Sequence, residues 1–219
     1  MRINLPTWLT LFRVLLLPIM VVAFYLPFRW ASYAAAAVFV LAGITDWLDG
    51  WLARRLNQIS PFGAFLDPVA DKLMVVVTLF LVVESHHRVL QAHYGPVLPQ
   101  HDWFGVVLAV TAAIIVGREI SVSALREWMA AIGMQATVRV AFIGKLKTAM
   151  QMVALVVLIV EHNADTLRFY HVGEVLLVVA GVLTIWSGLY YLRAAWPYLK
   201  GEKKGRPMDV GQQARNARE

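Results

Sequence analysis

Residues 31–85 read ASYAAAAVFVLAGITDWLDGWLARRLNQISPFGAFLDPVADKLMVVVTLFLVVES. Two long apolar runs are joined there by a polar turn, Asn57-Gln58-Ile59-Ser60-Pro61-Phe62-Gly63, so the stretch predicts two membrane helices folded into a hairpin. Asp46 and Asp49 fall three residues apart near the end of the first run. Asp67 and Asp71 fall four apart at the start of the second. Each pair shares one helix face, and the hairpin brings all four carboxylates to one end. Insertion scales put a single aspartate at a span's centre at roughly 2.5–3.5 kcal/mol, so four near membrane depth need compensation. Lys72 and Arg54 are too few. Like charges this close drive carboxylates to protonate unless cations hold them ionised. Two oxygen-ligated divalent metals meet that demand and suit phosphoryl chemistry.

The rest of the chain agrees with a bilayer. Of 219 residues, 59% are hydrophobic and only 16% charged, with a mean hydropathy of +0.63, against about 25% charged in an average soluble domain. Cysteine is absent, which excludes disulfides and thiolate sites and favours hard cations such as Mg²⁺ or Mn²⁺. The expected fold is an all-α integral membrane protein of six transmembrane helices, at about 11–28, 31–53, 64–85, 103–126, 138–161 and 172–196. A short interfacial helix over Asn4-Leu5-Pro6-Thr7-Trp8-Leu9-Thr10 leads into the first span. Six crossings put both termini on one side. Arg2, Arg54, Arg55, Arg118, Arg126, Arg139, Lys145, Lys147, Arg193 and the basic tail gather there, against Arg29, Arg88 and Arg168 opposite. The positive-inside rule makes the richer side cytoplasmic. The net charge of +6 flanks apolar segments instead of forming a soluble basic face, which points to anionic membrane lipids and not to nucleic acid.

The first apolar run also admits a cleavable signal peptide, since Ala34–Ala37 follow it, but the pattern continues into the aspartate stretch. Residues 86–102 hold His86, His87, His93 and His101 at irregular spacing with Gly-Pro, and read as a loop, with far-face metal binding the alternative. Residues 1–199 are expected to form one membrane domain, and 200–219 a charged, disordered tail.

The bland reading of the aspartates is helix capping or ion pairing with Arg54, Arg55 and Lys72. It suits Asp67 alone, which precedes Pro68, better than four at these offsets. Gly50 and Gly63 read as packing or turn glycines, or as positions where missing bulk lets a nucleotide approach the backbone. Arg54, four residues after Gly50, is placed to clamp a pyrophosphate.

Asp46, Asp49, Gly50, Ala53, Arg54, Gly63, Asp67 and Asp71 fit D-x2-D-G-x2-A-R-x8-G-x3-D-x3-D over 26 residues. This resembles the signature of the CDP-alcohol phosphatidyltransferases with every position filled. The resemblance implies six transmembrane helices, usually a homodimer, and a cytoplasm-facing site with two divalent metals held by Asp46, Asp49, Asp67 and Asp71. It makes Asp71 additionally the general base, and lines the cytidine-diphosphate pocket with Gly50, Ala53, Arg54 and Gly63.

The motif fixes the donor class, CDP-diacylglycerol, but not the acceptor. Arg118, Arg126, Lys145 and Lys147 lie near the cytoplasmic ends of spans four and five. Arg118 and Arg126 point within about 80° of each other on an ideal helix; Lys145 and Lys147 do not share a face. An acceptor with its own phosphate needs such cations, while serine, choline or ethanolamine does not; the bland alternative is charges that only set topology. Asn4-Leu5-Pro6-Thr7, Leu9-Thr10-Leu11-Phe12-Arg13, Gly117-Arg118-Glu119-Ile120, Ser123-Ala124-Leu125-Arg126-Glu127 and Ile143-Gly144-Lys145-Leu146-Lys147-Thr148 resemble the proteobacterial members of the family that use glycerol 3-phosphate. The expected acceptor-phosphate set is Arg118, Arg126, Lys145, Lys147 and Arg13. Rivals are a family member with another acceptor, such as serine or phosphatidylglycerol, and, from a different class, a divalent-cation transporter, whose carboxylates should line a path across the bilayer.

Overall fold

The structure, a computed structural model, describes residues 5–28, 30–56, 61–94, 103–134, 142–163 and 168–200. Among them every regular element is helical: α1 Leu5–Tyr25, α2 Ala31–Leu56, α3 Pro61–Tyr94, α4 Trp103–Ala131, α5 Phe142–Val160, a 3₁₀ turn Glu161–Asn163, and α6 Arg168–Leu199. Among the described residues four stretches are long and apolar enough to cross a bilayer: Trp8–Tyr25, Ala31–Asp49, Trp103–Ala131 and Phe169–Leu199. Leu146–Val160 is apolar but shorter. Large apolar side chains are exposed along these helices, among them Trp103, Phe104 and Val107 on α4 and Val182, Trp186 and Leu189 on α6. In water such faces aggregate, whereas lipid solvates them. The chain is accordingly a multi-pass membrane protein.

Helix ends follow local chemistry. Pro61 opens α3, where its missing N–H costs nothing. Past the end of α4, Gly133 adopts φ 76°, while Met134 N–H bonds back to Met129 O at 2.8 Å, a glycine-terminated cap that a side chain with Cβ strains.

Two expectations are corrected. Residues 86–94 are not a loop, because α3 runs on to Tyr94. Glu84 pairs with Arg88 and His87 meets Gln91 at 3.1 Å, both four residues apart, and Ser85, His86, Val89 and Leu90 are buried along one face. Histidine spacing concealed that helical period; residues 95–102 lie outside the described residues. Nor do Leu5–Thr10 form a separate interfacial helix, since α1 is continuous from Leu5. Thr10 is buried and donates to Asp67, so this hydroxyl is satisfied within the protein.

The chain divides into two compact units. The first holds residues up to Ala112 with Met150–Val178. Within it α1 packs along α2 and against α3. Leu16, Met20 and Phe24 form the buried stripe of α1, and Ala31, Ala35, Ala36 and Ala42 that of α2. Alanine lets the two backbones approach closely, the means by which helices associate in lipid. About 22 Å along α3 from Asp71, at 1.5 Å per residue, His86 lies 3.1 Å from Tyr170 Oη and 3.0 Å from Glu174. His162 stacks on Phe24 at 4.2 Å, and burial, with Arg88 nearby, holds its pKa down to about 4.

Gly173 of α6 has its place against α5 fixed by size. A Cβ there would sit 2.8 Å from Leu158 Cγ and 3.1 Å from Val157 Cγ1. These are branch atoms near the backbone, with little room to yield. Gly173→Val is expected to destabilise the protein by about 1–3 kcal/mol through overpacking, measured as a lowered Tm in detergent.

The second unit holds Ala113–Ala149 and the chain from Val179 onward. It contributes the C-terminal part of α4, the start of α5 and the C-terminal part of α6. Thr184 bonds back to Ala180 O at 2.6 Å, which satisfies its hydroxyl inside its own helix.

Candidate functional site

In the first unit the four aspartates are gathered from α2 and α3 by two residues of α1. Arg13 is the centre. Its Nη1 lies 2.9 Å from Asp46 Oδ1 and also binds Asp71 Oδ1, while Nη2 binds Asp49 Oδ2. One turn earlier, Thr10 Oγ1 donates to Asp67 Oδ1. Thr10 and Arg13 are three residues apart and so share a face of α1. The face is buried, with Arg13 at 2% exposure.

The carboxylates differ in access. Asp49 has a side chain only 7% exposed, against 49% for Asp46 and 44% for Asp71. Asp49 is therefore the inner anchor, and Asp46 and Asp71 form the open side. Arg13 offers a planar fork of donors matched to carboxylates, and three of the four aspartates share it. Asp46 Oδ1 and Asp71 Oδ1 converge on the same nitrogen. Carboxylate oxygens on an open side are the type of donor that hard cations such as Mg²⁺ or Mn²⁺ take. Among the described residues no group of three or more acidic or histidine side chains is placed to hold a metal ion; Arg13 occupies the space between the carboxylates.

Gly50 lies within α2, Ala53 and Arg54 close to its end, and Gly63, buried, in the first turn of α3. The Ala53 and Arg54 side chains lie outside the described residues. The helical backbone keeps Gly50 and Arg54 one turn apart on one face.

The second unit holds a separate basic cluster. Glu119 Oε1 accepts from Arg118 Nη1 at 3.1 Å and from Lys147 Nζ. Arg118 Nη2 donates to Ser187 Oγ at 2.8 Å, and its guanidinium lies 5.5 Å from the Tyr191 ring centre. Lys147 is buried. Arg126 is exposed, and the Lys145 side chain lies outside the described residues. Of the cations expected to act together, the structure brings together Arg118 and Lys147, and it sets Arg13 among the aspartates.

Sequence reasoning missed Thr10 and Glu119. For Thr10 the signal was available, a polar pair with Arg13 at helical spacing in an otherwise apolar run. Glu119 follows Arg118 directly and points about 100° from it on a helix, so only the reach of both side chains reveals the pair.

A family model described as CDP-alcohol phosphatidyltransferase matches residues 3–186. A protein of Yersinia pestis (strain Pestoides F) named CDP-diacylglycerol–glycerol-3-phosphate 3-phosphatidyltransferase is 50% identical over 198 residues, 90% of this chain and 97% of its own. Relatives of the same name from Sodalis glossinidius (strain morsitans) and Pseudomonas fluorescens are also 50% identical, over 89% and 90% of this chain and 96% and 92% of theirs.

Proposed function

The chain belongs to the CDP-alcohol phosphatidyltransferase family, and from that premise we infer that it makes phosphatidylglycerophosphate and CMP from CDP-diacylglycerol and sn-glycerol 3-phosphate. One observation carries this reading. Asp46, Asp49 and Asp71 converge on a single guanidinium in a chain half identical, over nine-tenths of its length, to relatives named for that reaction.

Asp46, Asp49, Asp67 and Asp71 would hold two divalent cations, Mg²⁺ or Mn²⁺, with Thr10 orienting Asp67. Bound there, such cations would supply polarisation of the diphosphate and offset charge on departing CMP. Asp71, on the open side, takes the proton of the acceptor's 1-hydroxyl. That oxygen bonds to the lipid-side β-phosphorus as the phosphorus–oxygen bond to CMP breaks. Gly50, Ala53, Arg54 and Gly63 line the cytidine-diphosphate pocket. Arg118, Arg126, Lys145 and Lys147 bind the acceptor phosphate. Arg13 is proposed as a further residue for that phosphate. Positioning and electrostatics supply most of the catalysis.

All six helices cross the bacterial inner membrane, with both termini and the site cytoplasmic, by the distribution of basic residues. Residues 1–199 form one catalytic domain, 200–219 a cytoplasmic tail, and two copies a homodimer in contact with membrane lipids.

The test is acceptor choice. Purified protein given CDP-diacylglycerol and Mg²⁺ is expected to release CMP with glycerol 3-phosphate and not with serine or phosphatidylglycerol. CMP release driven by either of those instead would overturn the acceptor assignment and leave the donor chemistry standing.

A further inference from the structure

Within the second unit Arg118 is held by Ser187 and Tyr191, besides Glu119. Ser187 accepts from Nη2 at 2.8 Å, Tyr191 lies under the guanidinium, and Gly188 clears space for the stem, since a Cβ there would stand 3.3 Å from Arg118 Cγ. The contact with Glu119 is shared. One carboxylate oxygen receives both Arg118 and Lys147. The lysine side chain is 3% exposed, the arginine 16% and the glutamate 29%. Two cations this close repel each other, and a buried ammonium without a partner is unfavourable. Glu119 removes both difficulties and leaves the trio with one net positive charge.

We propose that Glu119 is a positioning residue that sets the spacing of Arg118 and Lys147 for the acceptor's phosphate, with Ser187 and Gly188 fixing the arginine. This rests on the reading that these two cations bind that phosphate. Glu119 repels the phosphate itself and acts only through its partners. Two effects of removing its charge oppose each other: repulsion of the anion is relieved, and Lys147 loses its anchor. The burial of Lys147 decides between them. An ammonium this enclosed turns away or deprotonates once unpaired.

The experiment compares Glu119→Gln, Glu119→Asp, Lys147→Met, Arg118→Met and the double variant Glu119→Gln/Lys147→Met in the full-length protein. The readouts are KM for glycerol 3-phosphate, inhibition by inorganic phosphate, KM for CDP-diacylglycerol, and kcat. Glu119→Gln is expected to raise the acceptor KM roughly 10- to 100-fold, as loss of an orienting partner does at other charged sites. Phosphate inhibition should weaken in parallel, the lipid KM should hold, and kcat should fall far less than the acceptor KM rises. Glu119→Asp should recover part of the loss. The double variant has no unpaired buried lysine, so it remains measurable if Glu119→Gln folds poorly, and its acceptor KM should rise by less than the product of the two single losses, since Glu119 then acts only through Arg118. Additive losses in the double variant, or a Glu119→Gln acceptor KM that stays level or falls, would overturn the proposal. If Arg118→Met and Lys147→Met themselves leave the acceptor KM unchanged, the phosphate-binding reading fails instead.

Discussion

Asp71→Asn is expected to lower CMP release by about 10³-fold or more while leaving the protein folded. Loss of a positioned general base accounts for about 10²–10⁴ in rate. Counting Asp71 also as a metal ligand places the effect in the upper part of that range, about 4 kcal/mol of barrier for each 10³. The fold should survive because asparagine keeps the volume and an oxygen for Arg13, and because Asp71 is 44% exposed, whereas the buried partner of Arg13 is Asp49. Asp46→Asn is the informative control. Asp46 reaches the same guanidinium nitrogen and is open to a similar degree, but it has no assigned proton-transfer role. Raising Mg²⁺ should recover much of its activity and little of that of Asp71→Asn. The measurements are CMP release against Mg²⁺ concentration, with Tm in detergent checking the fold. Near-normal turnover by Asp71→Asn removes the general-base assignment.

The parts of this molecule that were legible in its sequence are those that depend on one helix or on two adjacent ones. Apolar runs located the six α-helices seen among the described residues, four of which are long and apolar enough to cross a bilayer, since lipid leaves the backbone few other ways to satisfy its polar groups. The carboxylate pairs followed from helical spacing and a hairpin of consecutive segments. Residues acting across longer separations were harder to read. Arg13 is 36 residues from Asp49 and 58 from Asp71, and nothing local to α1 says which charges it meets. It was assigned to the phosphate group on resemblance, whereas its contacts in the structure are with the carboxylates. The extension of α3 to Tyr94 was hidden for another reason. Beyond the apolar run its helix is stabilised by side-chain pairs, Glu84 with Arg88 and His87 with Gln91, and a hydropathy pattern does not register these.

Arg13 carries the second large expected effect. Three carboxylates share one buried guanidinium, and the metals proposed for those oxygens bring the same sign of charge. Guanidinium and divalent cation are thus alternative answers to one electrostatic problem. In chelator, Arg13→Gln should lower Tm substantially. The Asp49 pair, enclosed on both sides, accounts for most of the loss at about 3–5 kcal/mol. The Asp46 and Asp71 pairs contribute little, being half-open and screened by solvent. For a chain of this length that corresponds to roughly 10 °C or somewhat more. Saturating Mg²⁺ should then restore the variant by more than it raises the wild type, because a ligand stabilises in proportion to how strongly it prefers the folded site and the unpaired carboxylates hold it more strongly. An unchanged Tm in chelator would show that the arginine is dispensable to the cluster. Equal Mg²⁺ stabilisation of both proteins would show that metal and arginine do not compete for the same oxygens. With competition, Arg13 would hold the carboxylates in the metal-free protein and release them to the cations.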